Sequence, residues 1–156
     1  MKDFVFKTPG TIISKELCSY DLETYRTLKL KGDILLVTDT TLVKLGVANK
    51  IKITIENSGS NVILYDKIEP EPKVSSLRKL LEFTKQFKIN TVIGLGGGSP
   101  MDIAKLTSIL IKSPQKIESI YGVNNIKGDR LPLILIPTTS GTGSEVTPVA
   151  VVTSDE

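Results

Sequence analysis

Five short apolar runs, each continuous rather than alternating, constrain this chain more than anything else: Ile34–Val37 (ILLV), Val62–Tyr65 (VILY), Thr91–Leu95 (TVIGL), Leu133–Ile136 (LILI) and Val149–Val152 (VAVV). A strand with one wet face alternates, whereas an unbroken apolar run suits a strand covered on both faces, as in a parallel sheet. Parallel strands need crossovers, usually helical, and the segments between the runs have helical spacing. Val74, Leu77, Leu81, Thr84 and Phe87 form one stripe of an amphipathic helix. Leu17 to Leu30 reads as another, with Gly32 as its stop. Met101 to Ile111 is apolar on most sides, which predicts a buried helix ended at Ser113-Pro114. The segment IKITIE (51–56) alternates like a strand, yet Val47, Ile51 and Ile55 are also four apart, and a strand here would break the rhythm. It is read as a helix. Strands are expected near 34–38, 61–65, 91–95, 132–136 and 149–153, the first four parallel and the fifth peripheral. The class is α/β, an open, mostly parallel sheet with helices on both faces.

Composition excludes several roles. The 156 residues suffice for one domain with a real core. The net charge is only +3 and the basic residues are scattered, so neither nucleic acid nor a membrane surface is an expected partner. No apolar run approaches the roughly 18 residues of a membrane span, and the start, MKDFVFKTPG, lacks the apolar core of a signal peptide. The single cysteine, Cys18, fits a reducing, cytoplasmic setting. The absence of histidine removes His-based acid–base catalysis and His-based metal sites from this chain.

The stretch VIGLGGGSPMD (92–102) sets four glycines among the five residues Gly94 to Gly98. It matches neither G-x-G-x-x-G nor the P-loop pattern. It follows an expected buried strand and opens an expected helix, with Ser99 as N-cap, Pro100 at the first helical position and Asp102 completing an S-x-x-D capping box. Glycines let a ligand approach the backbone, and their amides at a helix N-terminus attract anions. A phosphate or diphosphate is the natural guest; the rival reading is a tight turn before a well-capped helix.

A second loop, IPTTSGTGSEVTP (136–148), crowds the hydroxyls of Thr138, Thr139, Thr142, Ser144 and Thr147 at the end of another apolar run. Ligands of open α/β sheets bind at that end of the strands, although such a loop can also satisfy its own backbone. Asp39 ends the first run and is placed to accept bonds from the hydroxyls of an adenosine ribose and to repel a 2′-phosphate. It precedes the glycines, whereas the usual fingerprint puts the acid roughly 20 residues after them. Helix N-cap is its competing role.

These residues together resemble the iron-containing (group III) alcohol dehydrogenases. GLGGGSPMDIAK (94–105) and IPTTSGTGSEVTPVAVVTSDE (136–156) are similar to the family's two signature stretches, and LLVTDTTLVKLGV (35–47) and YDKIEPEPKVSS (65–76) to two further segments. The resemblance implies a Rossmann-like N-terminal domain, here residues 1–156, that binds NAD(P). It also implies a C-terminal helical domain that holds a divalent metal, usually iron, with an alcohol or aldehyde substrate in the cleft between the two. By position, Asp39 matches the adenosine-ribose contact, so NAD is expected over NADP. Gly97, Gly98 and Ser99 match the diphosphate loop, and Thr138, Thr139 and Thr142 the second cofactor loop. Thr147 and Val151 match positions beside the nicotinamide, and Asp102 a position of mixed capping and cofactor-contact role. Glu71 stands where asparagine is common, and Glu145 is read as structural support. The family's metal ligands, an aspartate and three histidines, come later than Glu156. This chain is therefore expected to be the cofactor-binding half, inactive alone, with no catalytic or metal residue of its own. The face meeting the absent domain should invite self-association as a homo-oligomer. The alternatives are a stand-alone nucleotide-binding module and a fragment of a dehydroquinate synthase or polyol dehydrogenase relative.

Overall fold

The computed structural model describes residues 9–22, 28 and 30–155. Four strands form one sheet: β1 (Asp33–Val37), β2 (Asn61–Tyr65), β3 (Ile89–Gly96) and β4 (Leu133–Pro137). All pairs are parallel and the order is β2-β1-β3-β4. The four expected parallel strands are thus present within two residues of their expected starts. The connecting helices are α1 (Thr40–Lys44), α2 (Val47–Asn57), α3 (Val74–Thr84) and α4 (Gly98–Lys112). The ambiguous segment 51–56 lies in α2, where Ala48, Ile51 and Ile55 are buried.

The sheet separates two apolar layers. Ile34 and Leu36 pack with Ile51 and Ile55 of α2 on one face; Leu35 and Val37 pack with Leu77 and Leu80 of α3 and Ile103 and Leu106 of α4 on the other. The first crossover moves outward from β1 to β2 over one face. The later ones move the opposite way over the other face, so all the crossovers share one hand, as packing of twisted strands requires.

Gly94 lets α4 sit down on β3. A Cβ there would come within 2.8 Å of Ala104 Cβ and 3.1 Å of Met101 Cα. This close approach fixes where the N-terminus of α4 meets the end of the sheet.

Some expectations are corrected. The LILI run forms β4, but this is an edge strand, and Leu133 to Ile136 are only half-buried. The VAVV run forms no strand. Its Val149 and Val151 side chains are exposed, and the segment joins the sheet region through a single bridge between Lys73 and Thr153. Its backbone is taken by side chains of α4 instead: Val149 O accepts from Lys105 Nζ at 2.6 Å and Val151 N donates to Asp102 Oδ2 at 2.9 Å. Beyond it, residues 153–155 serve the start of α3. Thr153 O accepts from Val74 N, and Asp155 Oδ1 from Ser75 N at 3.3 Å. A hydrogen bond from the Ser75 side chain, above all, and then the Ser75 amide hold the Asp155 carboxyl below its ordinary value, against the desolvation that raises it. No α-helix starts at Leu17, whose φ is 58°; Cys18–Tyr20 is a 3-10 turn, and residues 23–27 and 29 of that expected helix lie outside the described residues.

Candidate functional site

The strand order places a switch point between β1 and β3. From β1 the chain goes one way to β2, and from β3 it goes the other way to β4. The crevice outside the carboxyl ends of two such strands is where open α/β sheets take ligands. Asp39 follows β1 there, and Gly97 and Gly98 follow β3.

Asp39 does two things. Its Oδ1 accepts from Thr41 N at 2.8 Å and Leu42 N at 3.0 Å, so it is the N-cap of α1. Its Oδ2 accepts no hydrogen bond among the described residues and points toward the glycines: a Cβ built on Gly96 would lie 3.4 Å from it. The capping role anticipated as a rival is real, and it leaves one oxygen free on the crevice side.

The glycine loop turns at Gly96, whose φ of 143° is open to glycine but rarely to other residues. The helix begins at Gly98, earlier than the Ser99 or Pro100 expected, and Gly97 is its N-cap in an extended conformation. Gly97 has no side chain, so no side-chain oxygen caps the first turn. Ser99 therefore lies inside the helix rather than capping it. Asp102 completes no capping box, because its carboxylate is engaged elsewhere. A 15-residue helix thus starts with its leading amides uncapped by any side chain, the arrangement that favours an anion.

The second loop faces this start. Thr138 N donates to Gly96 O at 2.9 Å, extending the β3–β4 pairing by one bond. Thr139 Oγ1 would be 3.2 Å from a Cβ on Gly97, and Thr142 Cβ and Cγ2 each 3.7 Å from a Cβ on Gly98. Asp39, Gly97, Gly98, Thr139 and Thr142 therefore converge, although Asp39 is far from the others in sequence. Thr147 and Val151 are exposed on the segment beyond.

Asp102 is buried beside this cluster. Its Oδ1 accepts from Ser144 Oγ at 2.5 Å and from Lys105 Nζ at 3.1 Å, and its Oδ2 takes the Val151 N–H. Lys105 and the role of Ser144 escaped the sequence reading. The D-x-x-K spacing, which sets two charges on one helix face, was the available signal for Lys105. Among the described residues no group of three or more His, Cys, Asp or Glu could hold a metal ion.

Fold and site thus define a doubly wound α/β protein with an anion-ready crevice at its switch point. The family model described as iron-containing alcohol dehydrogenase matches residues 9–156, and the chain belongs to that family. It is 39% identical to long-chain-alcohol dehydrogenase 1 of Geobacillus thermodenitrificans over 121 residues, 76% of this chain and 31% of that protein. Among solved structures, the alcohol dehydrogenase of Oenococcus oeni superposes with a TM-score of 0.87 at 29% identity, covering 99% of this chain and 41% of that one. The sulfoacetaldehyde reductase of Bifidobacterium kashiwanohense, solved in complex with NAD+, gives 0.82 at 26% identity, covering 99% and 41%. The chain spans about a third of the length of the curated relatives it matches.

Proposed function

We propose that residues 1–156 are the dinucleotide-binding part of an NAD-dependent alcohol dehydrogenase that interconverts alcohols with aldehydes or ketones. One observation carries the reading: the uncapped start of α4 at Gly97–Gly98 is faced by Thr139 and Thr142 and flanked by the free oxygen of Asp39. In this reading the amides of Gly98 and Ser99 and the hydroxyls of Thr139 and Thr142 hold the diphosphate. Asp39 Oδ2 accepts from the adenosine ribose and repels a 2′-phosphate, which selects NAD over NADP. Thr138 supports the loop through its backbone, and Thr147 and Val151 lie toward the nicotinamide. NAD supplies the hydride acceptor; this chain's residues bind and orient it.

The iron of the family's name finds no ligand set among the described residues, and the sequence holds no histidine. A metal centre, and the pocket for the alcohol or aldehyde, would have to come from a further helical domain. The isolated chain is therefore proposed to bind cofactor without turning over substrate, in a cytoplasmic setting. No helix among the described residues is long and apolar enough to cross a membrane.

Calorimetric titration tests the reading. NAD should bind saturably and NADP more weakly. Equal affinity for the two would remove the role given to Asp39, and alcohol oxidation by the purified chain would overturn the division of labour.

A further inference from the structure

The Asp102 carboxylate is the meeting point of α4, the threonine loop and the 149–151 segment. It is 8% exposed, and both its oxygens are occupied: Oδ1 by Ser144 Oγ and Lys105 Nζ, Oδ2 by the Val151 amide. Lys105 reaches past it to Val149 O at 2.6 Å. Three bonds thus tie residues 144–151 to the helix whose first turn carries Gly98 and Ser99. Three of the roughly four acceptor sites of the carboxylate are thus taken by this chain's own donors. An unpaired negative charge within the first turns of α4 would also oppose an anion at its start; the Lys105 ammonium, on a side chain only 12% exposed, offsets that charge.

From this arrangement we infer that Asp102 is a positioning residue. With Lys105 as counter-charge and second tether, it holds residues 144–151 on α4. It thereby sets the distance between Thr139 and Thr142 on one side and Gly97 and Gly98 on the other. The inference rests on the proposed dinucleotide reading for its consequence, but the tether itself belongs to this chain alone. Its chemistry explains the residue types. Ser144 donates an O–H and Val151 an N–H, so the group between them must accept twice, and a carboxylate does. Asparagine keeps the shape but offers one acceptor and loses the attraction to Lys105.

The test is amide exchange and NAD titration followed by NMR on the full 156-residue chain, comparing the parent with Asp102→Asn and Ser144→Ala. In Asp102→Asn the Val151 amide should exchange about tenfold faster, the scale expected for losing a charge-assisted bond, while the amides of β1 and β3 keep their rates. NAD affinity should fall by a similar factor with the thermal midpoint of the core unchanged. The NAD-induced shifts should fade at Thr139 and Thr142 and persist at Gly98. Ser144→Ala should reproduce the change in the threonine loop without freeing Val151. Parent-like exchange at Val151 and across 139–146 in Asp102→Asn overturns the tether. A freed Val151 with undiminished NAD affinity overturns the positioning role. A parent chain that shows no NAD-induced shift refutes the dinucleotide reading and the positioning consequence with it, and the exchange rates still decide whether Asp102 holds the segment.

Discussion

Gly98 and Thr142 face each other across the mouth of the sheet, with a built Cβ on the glycine 3.7 Å from both Cβ and Cγ2 of the threonine. That distance is an ordinary van der Waals contact, and Gly98 does not have a positive φ. The fold itself therefore leaves room for a side chain at this position. A glycine where the fold has no steric need of one points to something else that must come close.

Gly94 is the opposite case. An added methyl there meets Ala104 Cβ at 2.8 Å, Leu135 Cδ2 at 3.0 Å and the Met101 backbone at 3.1 Å. Gly94→Ala should destabilise the chain by about 1–3 kcal/mol, the usual cost of overpacking a core. Urea denaturation reads this as a lower midpoint with an unchanged slope. An unchanged midpoint would mean that α4 is not seated on β3 as described.

Asp39 shares one carboxylate between a helix cap and the crevice. Asp39→Gly should cost roughly a few tenths of a kcal/mol of α1 stability, since glycine is itself tolerated at an N-cap. Its effect on cofactor choice should be larger. Removing a carboxylate ~4 Å from a phosphate relieves roughly 1–4 kcal/mol per charge pair, depending on the effective dielectric. The ratio of NADP to NAD dissociation constants should therefore approach one. A ratio that stays at the parent value assigns Asp39 to capping alone.

How legible these features were in the sequence depends on how local their causes are. The buried runs of β1, β2 and β3 and the periodicity of α3 are local patterns of apolar residues, and they placed the sheet and its helices. The two loops were legible because glycines and hydroxyls report backbone and ligand chemistry directly. The exposure of β4 was not, because a run such as LILI has no mark of being an edge; strand order decides that. The loss of the fifth strand has the same origin. Val149 and Val151 have the composition of a strand, but Lys105 and Asp102, distant in sequence, take their backbone groups. Ser99 looks like a cap by every local rule, and Gly97 takes the position because the helix starts two residues sooner.

The clasp between Asp155 and the start of α3 gives a pH prediction. The Ser75 side chain, chiefly, lowers the Asp155 carboxyl from its ordinary 3.8. A depressed folded-state value means that the stabilisation is fully present above 3.8 and is lost as pH falls through the folded value. The Ser75 amide resonance, followed against pH, should titrate with a midpoint below 3.8, and Asp155→Asn should abolish that titration. A midpoint at or above the ordinary value contradicts the clasp.

The proposed NAD site places the diphosphate on the amides of Gly98 and Ser99 at the start of α4, beside Gly97, and one comparison decides it. NAD is titrated into the isotope-labelled parent chain and into Gly98→Val, with thermal melting of both as the control for folding. Closely matched melting midpoints are expected, since the crevice leaves room for the added Cβ. Saturable shifts are expected at Gly97, Gly98, Ser99, Thr139 and Thr142 in the parent, with their loss in the variant, where a branched side chain fills the space of the phosphate oxygens. A folded Gly98→Val that binds NAD as well as the parent, or a parent in which those amides do not respond to NAD, contradicts it.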